Sequence, residues 1–146
     1  MFLEEIFPTP IWGFDLDVDV DSIKYWCYSC MKENPGRVIS NVGGWQSEDY
    51  REFGNTPLTE LVLYIVKESH NIANDIGIPK GDRWIENLWI NINPKYSYNQ
   101  VHVHPEARLS GVFYVSAPEK SGDICFTRPN GYSLGTVAPN STRYSS

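Results

Sequence analysis

The chain has 146 residues, 41% of them apolar and 21% charged, and a net charge of −6. That is long enough for one domain with its own core and too apolar for a disordered chain. The acidic balance leaves no surplus of cations to meet a phosphate backbone, which weighs against nucleic acid as a partner, and no apolar run approaches the ~20 residues of a membrane span.

Aromatic residues reach 14%, with five Trp and nine Tyr, a composition that suits pleated, half-buried surfaces and favours a β-rich core. The first residues, MFLEEIFPTP, carry two early acids and no basic segment, unlike a secretory signal. Three cysteines without such a signal point to a reducing compartment, so the expected location is cytoplasmic.

Pro8 and Pro10 forbid a central-strand ladder near the start, and a first edge strand is expected near Ile11–Leu16. Asp19 or Asp21 can cap a short helix running to about Asn34, where Pro35-Gly36 stops it. Ile23, Trp26, Cys27, Cys30 and Met31 fall at helical spacing there. Cys27 and Cys30 therefore read as core thiols one turn apart rather than half of a zinc site, which needs two more ligands. Residues 37–56 lack sustained periodicity and read as a long ordered loop with room for one short strand.

The clearest helix spans about Pro57 to Asp75. Leu58, Leu61, Val62, Ile65, Val66, Ile72, Ala73 and Ile76 make its apolar stripe, Pro57 suits its first turn and Gly77 its C-terminal cap. His70, on the edge of that stripe, reads as an ordinary helix histidine. From Arg83 the period changes to two. In RWIENLWININP, Leu88, Ile90 and Ile92 face one way, and Trp89, Asn91 and Asn93 the other. Pro94 ends that strand. In VHVH, Val101 and Val103 lie on one face and His102 and His104 on the opposite face. LSGVFYVSAP and GDICFT read as two further strands, with Pro118, Ser121 and Gly122 in the turn. The expectation is a single domain over 1–146, α+β but mainly β, with one or two helices ahead of a curled antiparallel sheet or barrel.

Two histidines at i and i+2 on a strand present both imidazoles to one side, where they can reach one ion. Glu106 adds a carboxylate two residues on, and Pro105 restricts the backbone of His104 to extended values. The plain alternative is a pair of strand histidines with no ion, and spacing does not choose the metal.

Residues 89–129, WININPKYSYNQVHVHPEARLSGVFYVSAPEKSGDICFTRP, resemble the 2-oxoglutarate/Fe(II)-dependent oxygenases of marine phages and bacteria. The marks are W-x-N-x-N, H-x-H-P, S-G-V-[FY]-Y-V and S-G-x-I-x-F, joined by FPTPI at 7–11 and GGWQS at 43–47. The resemblance implies a double-stranded β-helix, a cupin-like jelly-roll barrel, that binds Fe(II) and takes 2-oxoglutarate as a small-molecule co-substrate to hydroxylate a C–H bond. It implies His102 as a metal ligand, with either His104 as a second ligand or His104-Pro105-Glu106 as the His-x-Glu pair. Asn91 and Tyr114 fall on family-like strands and are candidates to line the co-substrate pocket, as is Asn93.

The pattern departs from the family after Pro129. No histidine follows His104, and NGYSLGTVAPNSTRYSS lacks the apolar strand that precedes the family's distal histidine. One reading is an incomplete barrel without its closing strands, whose open edge invites homo-oligomerisation. The other joins the barrel directly to its end. NSTRYSS is then similar to the closing Asn…Arg-x-Ser pattern, and Arg143 is the candidate partner of the far 2-oxoglutarate carboxylate. Alternatives are a non-catalytic jelly-roll binding or phage structural module, and a cupin-type metalloprotein. The residues do not name a primary substrate.

Overall fold

The computed structural model describes residues 9–79, 85–105, 107–127 and the backbone of 133–137. The first helix, α1, spans Val20–Glu33. Asp19 starts it as expected: its carboxylate accepts from the Ser22 amide at 3.0 Å and from the Ser22 hydroxyl at 2.6 Å, which satisfies one of the amides a helix start leaves open. Asn34 is extended and closes the helix through its amide, which donates to the Cys30 carbonyl. Two short strands follow, β1 (Asn41–Val42) and β2 (Trp45–Gln46). The second helix, α2, covers Leu58–Asp75. It ends at Gly77, whose φ of +71° is the left-handed turn glycine adopts without strain.

Four strands complete the described chain: β3 (Asn91–Ile92), β4 (Tyr98–Asn99), β5 (Ile124–Thr127) and β6 (Ser133–Val137). They pair antiparallel as β1 with β4, β2 with β3, and β5 with β6. The first two pairs belong to one longer apposition. Asn41 lies opposite Asn99, Val42 opposite Tyr98, Trp45 opposite Ile92 and Gln46 opposite Asn91. Beyond them the Ser47 amide donates to the Ile90 carbonyl, and Tyr50 bridges Leu88. Segment 37–50 thus runs back along segment 88–99.

The alternation expected over 88–93 holds. Ile90 is buried and Leu88 and Ile92 pack beside it, while Asn91 and Asn93 are exposed. These residues meet Ile23 and Cys27 of α1 and Leu58 and Leu61 of α2, all buried, with Trp45, Tyr50, Phe113 and Val115 around them. Cys27 and Cys30 are core thiols of α1, as expected. Burial, and then the neighbouring Cys30, push the Cys27 thiol up to about 11. Trp26 and Tyr50 add a tilted aromatic pair at 5.3 Å.

Several expectations are corrected. Residues 11–16 form no strand, although Leu16 packs on the core. Segment 37–56 contributes two strands rather than one. VHVH and LSGVFYVSAP carry no ladder among the described residues; Val101 and Val103 are about four-fifths exposed, at 78% and 81%. The period-two pattern correctly assigns faces, but a strand also needs a partner for its backbone groups, which alternation does not supply. A strand does follow Pro129: β6 lies beside β5 with a register shift after Phe126. The described residues thus form three two-stranded sheets and no closed barrel.

An ion pair fastens the start of the returning segment. The Arg37 guanidinium bonds the Asp49 carboxylate and lies 3.7 Å from Glu48. Arg37, and after it Asn87 and Arg51, hold the Asp49 carboxyl below its ordinary value of 3.8. A depressed carboxyl stabilises the fold fully above its unfolded pKa and loses that contribution as pH falls through the folded value. Acid unfolding followed by circular dichroism should therefore steepen below about pH 4, and Asp49→Asn should flatten that limb while lowering stability at neutral pH.

Candidate metal centre and its polar face

The apposition of 37–50 and 88–99 has a core side and a polar side. In register, Gln46 shares its face with Asn91, and Trp45 shares the opposite, core-facing side with Ile92. The turn joining β1 to β2 is tied by Asn41. Its side-chain amide donates to the carbonyls of Arg37 at 3.2 Å and Gly44 at 2.9 Å, and its oxygen accepts from the Ile39 amide. A Cβ on Gly44 would run into the Asn93 carboxamide oxygen, so glycine is what lets Asn93 sit against this turn.

Asn93 then passes the contact on. Its amide donates to the Asn99 oxygen at 2.9 Å, and the Asn99 amide donates to the Ser40 hydroxyl at 3.1 Å and to the Asn91 oxygen at 3.4 Å. The result is a carboxamide chain along the polar side. Next to it, Gln46 is 3% exposed and its side-chain oxygen has no partner among the described residues. Nor has Nε of Arg37, the residue bridged to Gln46. Buried groups of this kind usually have a partner, so these two are exceptions to the pairing of the rest of this region.

His102 and His104 do come together. Their ring centroids are 4.8 Å apart at 69°, the proximity expected of i and i+2 side chains on one side. His102 is exposed and His104 half-buried. His102 Nδ1–H donates to the Gln100 carbonyl at 2.7 Å, which places the remaining lone pair on Nε2, the arrangement of a ligand histidine. Burial, and then the neighbouring His102, hold the His104 imidazole below its ordinary value, favouring the neutral ring that a metal needs. His104 also stacks on Trp89, with centroids 5.4 Å apart at 19°.

Asn91 joins the carboxamide chain. Tyr114 lies between Phe113 and Val115, both packed on the core, and is 39% exposed. Burial first, and Asp123 second, raise the Tyr114 phenol, which keeps it a hydrogen-bond donor. Among the described residues no hydrogen bond or ring contact joins Tyr114 to the histidines. Glu106 and Arg143 lie outside the described residues. Within them no group of three or more His, Cys, Asp or Glu could hold a metal, and no helix is long and apolar enough to cross a membrane.

Trp89, Asn99, Ser40 and Gln46 went unassigned in the sequence reading. Trp89 had a signal, since it shares its strand face with Asn91 and Asn93. Gln46 stood within GGWQS. Asn99 and Ser40 had none, because their meeting depends on which segments pair. An open cavity of about 420 Å³ between the first turns of α1 and α2, lined by Asp19, Ser22 and Glu60 among others, shares no residue with this face.

Residues 87–145 match the family model described as "Putative 2OG-Fe(II) oxygenase". The matched region contains both histidines, Trp89, the Asn91–Asn93–Asn99 chain and Tyr114. It also continues past Pro129 and includes Arg143. The family's description names Fe(II) and 2-oxoglutarate, and so implies a small-molecule co-substrate. No curated protein and no solved structure matches the chain.

Gly44→Ala should drive Asn93 from its place and separate it from Asn99. A loss of about 1–3 kcal/mol in stability is expected from such overpacking, with displaced side-chain amide resonances of Asn91, Asn93 and Asn99 in NMR spectra. Unmoved resonances would mean that the close approach of Gly44 does not set the carboxamide chain.

Proposed function

We propose that this chain is a 2-oxoglutarate/Fe(II)-dependent oxygenase domain, with His102 and His104 as metal ligands and Glu106 as the carboxylate of the set. The observation that carries the reading is the imidazole pair, 4.8 Å apart, inside the region that matches the oxygenase family model. The donors suit the metal. Neutral imidazole nitrogens and a carboxylate are the ligands of open facial iron sites, and the Gln100 carbonyl commits His102 to the ligating tautomer. With Fe(II) and 2-oxoglutarate bound, the chemistry supplied there is oxidative hydroxylation of a C–H bond.

The chain's own residues bind and orient. The Asn91 carboxamide, held by Asn99, and the protonated Tyr114 phenol are hydrogen-bonding groups for the polar atoms of the co-substrate. Arg143 is the proposed partner of its far carboxylate, a planar fork suited to two parallel hydrogen bonds. The apolar layer of Leu88, Ile90 and Ile92 beneath the polar face gives Asn91 a firm support.

An anaerobic titration of the purified chain with Fe(II) and 2-oxoglutarate tests the reading. A saturable visible charge-transfer band from the chelated 2-oxo acid is expected, and His102→Ala should abolish it. A folded wild-type chain that develops no band would reject the iron site, and an unchanged band in His102→Ala would reject the ligand assignment.

A further inference from the structure

Among the described residues the segment that carries His102 and His104 has no strand partner, yet a metal site needs its ligand rings held at fixed angles. His102 has its own tether, the Nδ1–H bond to the Gln100 carbonyl. Among the described residues no hydrogen bond holds the His104 ring. Two rings lie against it, His102 and Trp89.

Trp89 is anchored from both sides. The preceding residue, Leu88, donates its amide to the Tyr50 carbonyl at 3.1 Å and accepts from the Tyr50 amide at 2.7 Å. The following residue, Ile90, donates its amide to the Ser47 hydroxyl at 2.9 Å and accepts from the Ser47 amide at 3.0 Å. Leu88 and Ile90 also sink their side chains into the core. The backbone on either side of the indole is therefore clamped, and the indole projects to the polar side, where it lies nearly parallel to the His104 imidazole.

We propose that Trp89 is a positioning residue for His104, setting the plane of its imidazole and thereby the direction of its ligating lone pair. This rests on the iron-site reading above. A metal binds an imidazole nitrogen in the plane of the ring. A flat neighbour stacked on one face restrains rotation of the ring while leaving both nitrogens at its edge free. A hydrogen bond, the commoner way to orient a ligand histidine, would occupy one of them. The two histidines are thus oriented by different means: His102 by a carbonyl on its own segment, His104 by a ring from the clamped strand. The stack ties the segment of the two histidines to the strand that Tyr50 and Ser47 hold.

The test uses the full chain, first without metal. Ring currents of a stacked indole shift the His104 ring protons upfield, so NMR spectra of the wild type should show that shift. Trp89→Ala should remove it and Trp89→Phe should retain part of it. Anaerobic Fe(II) titration then reads the consequence. Loss of a group that orients a metal ligand typically weakens metal affinity about 10–100-fold. A loss of that size is expected in Trp89→Ala, against a change of only a few-fold in Trp89→Phe, which keeps a flat ring at the position if removal of the indole disturbs the fold. Absence of the upfield shift in the wild type would overturn the proposal, because the stack would not exist in solution. Wild-type Fe(II) affinity in a folded Trp89→Ala chain, with binding still lost in His102→Ala, would overturn it while leaving the iron site intact. A wild type that shows the ring shift yet binds no Fe(II) would overturn the iron-site reading, and the positioning role with it.

Discussion

Segment 37–50 returns along segment 88–99, and Ser47 is where the two are locked. Its backbone amide donates to the Ile90 carbonyl and its side-chain hydroxyl accepts from the Ile90 amide, so one small buried residue takes both backbone groups of the residue opposite. A larger residue at this point would hold the segments apart, and one without an oxygen would leave a buried amide unpaired. From this junction the two sides of the sheet acquire opposite characters. Toward the helices lie Trp45, Leu88, Ile90 and Ile92. Away from them lie Gln46, Asn91 and, through Trp89, the histidines. Core and candidate site are the two faces of one backbone pairing.

That pairing explains which parts of the molecule can be read from the residue order. The helices were legible because their determinants are local. Asp19 caps with Ser22 three residues on, and Leu58, Leu61 and Ile65 repeat within a single helix. The faces of the 88–93 strand were legible for the same reason, since alternation is a property of neighbours in the chain. The partners were not. Nothing in SNVGGWQS marks it as the strand that lies against WININ, because the fit depends on Gly44 meeting Asn93, a contact across about fifty positions.

The candidate site divides along the same line. His102 and His104 stand two residues apart, so their shared side follows from an extended backbone even though no ladder forms there among the described residues. The carboxamide chain was only half visible: Asn91 and Asn93 fell on a polar face, whereas Asn99 and Ser40 enter through the pairing of β1 with β4. Alternation overreached at VHVH and LSGVFYVSAP, where it supplied faces without partners. Beyond Pro129 the reverse holds: SLGTV has no long apolar run, yet five residues suffice for β6 because β5 presents a ready edge to pair with.

The thiols of α1 have a bearing on the chain's behaviour toward oxidants and soft metals. Cys27 is buried, and burial pushes its thiol up to about 11; Cys30 is half-buried near Tyr50. The thiolate is the species that reacts, so Cys27 is shielded twice over, by scarcity of its reactive form and by lack of access. Cys125 on β5 is exposed. The fold thereby ranks its three sulfurs, with Cys125 open to alkylating reagents and peroxide, Cys30 intermediate, and Cys27 reached only when the helix packing opens. Graded labelling of these positions makes the chain its own reporter of how tightly its helices are closed.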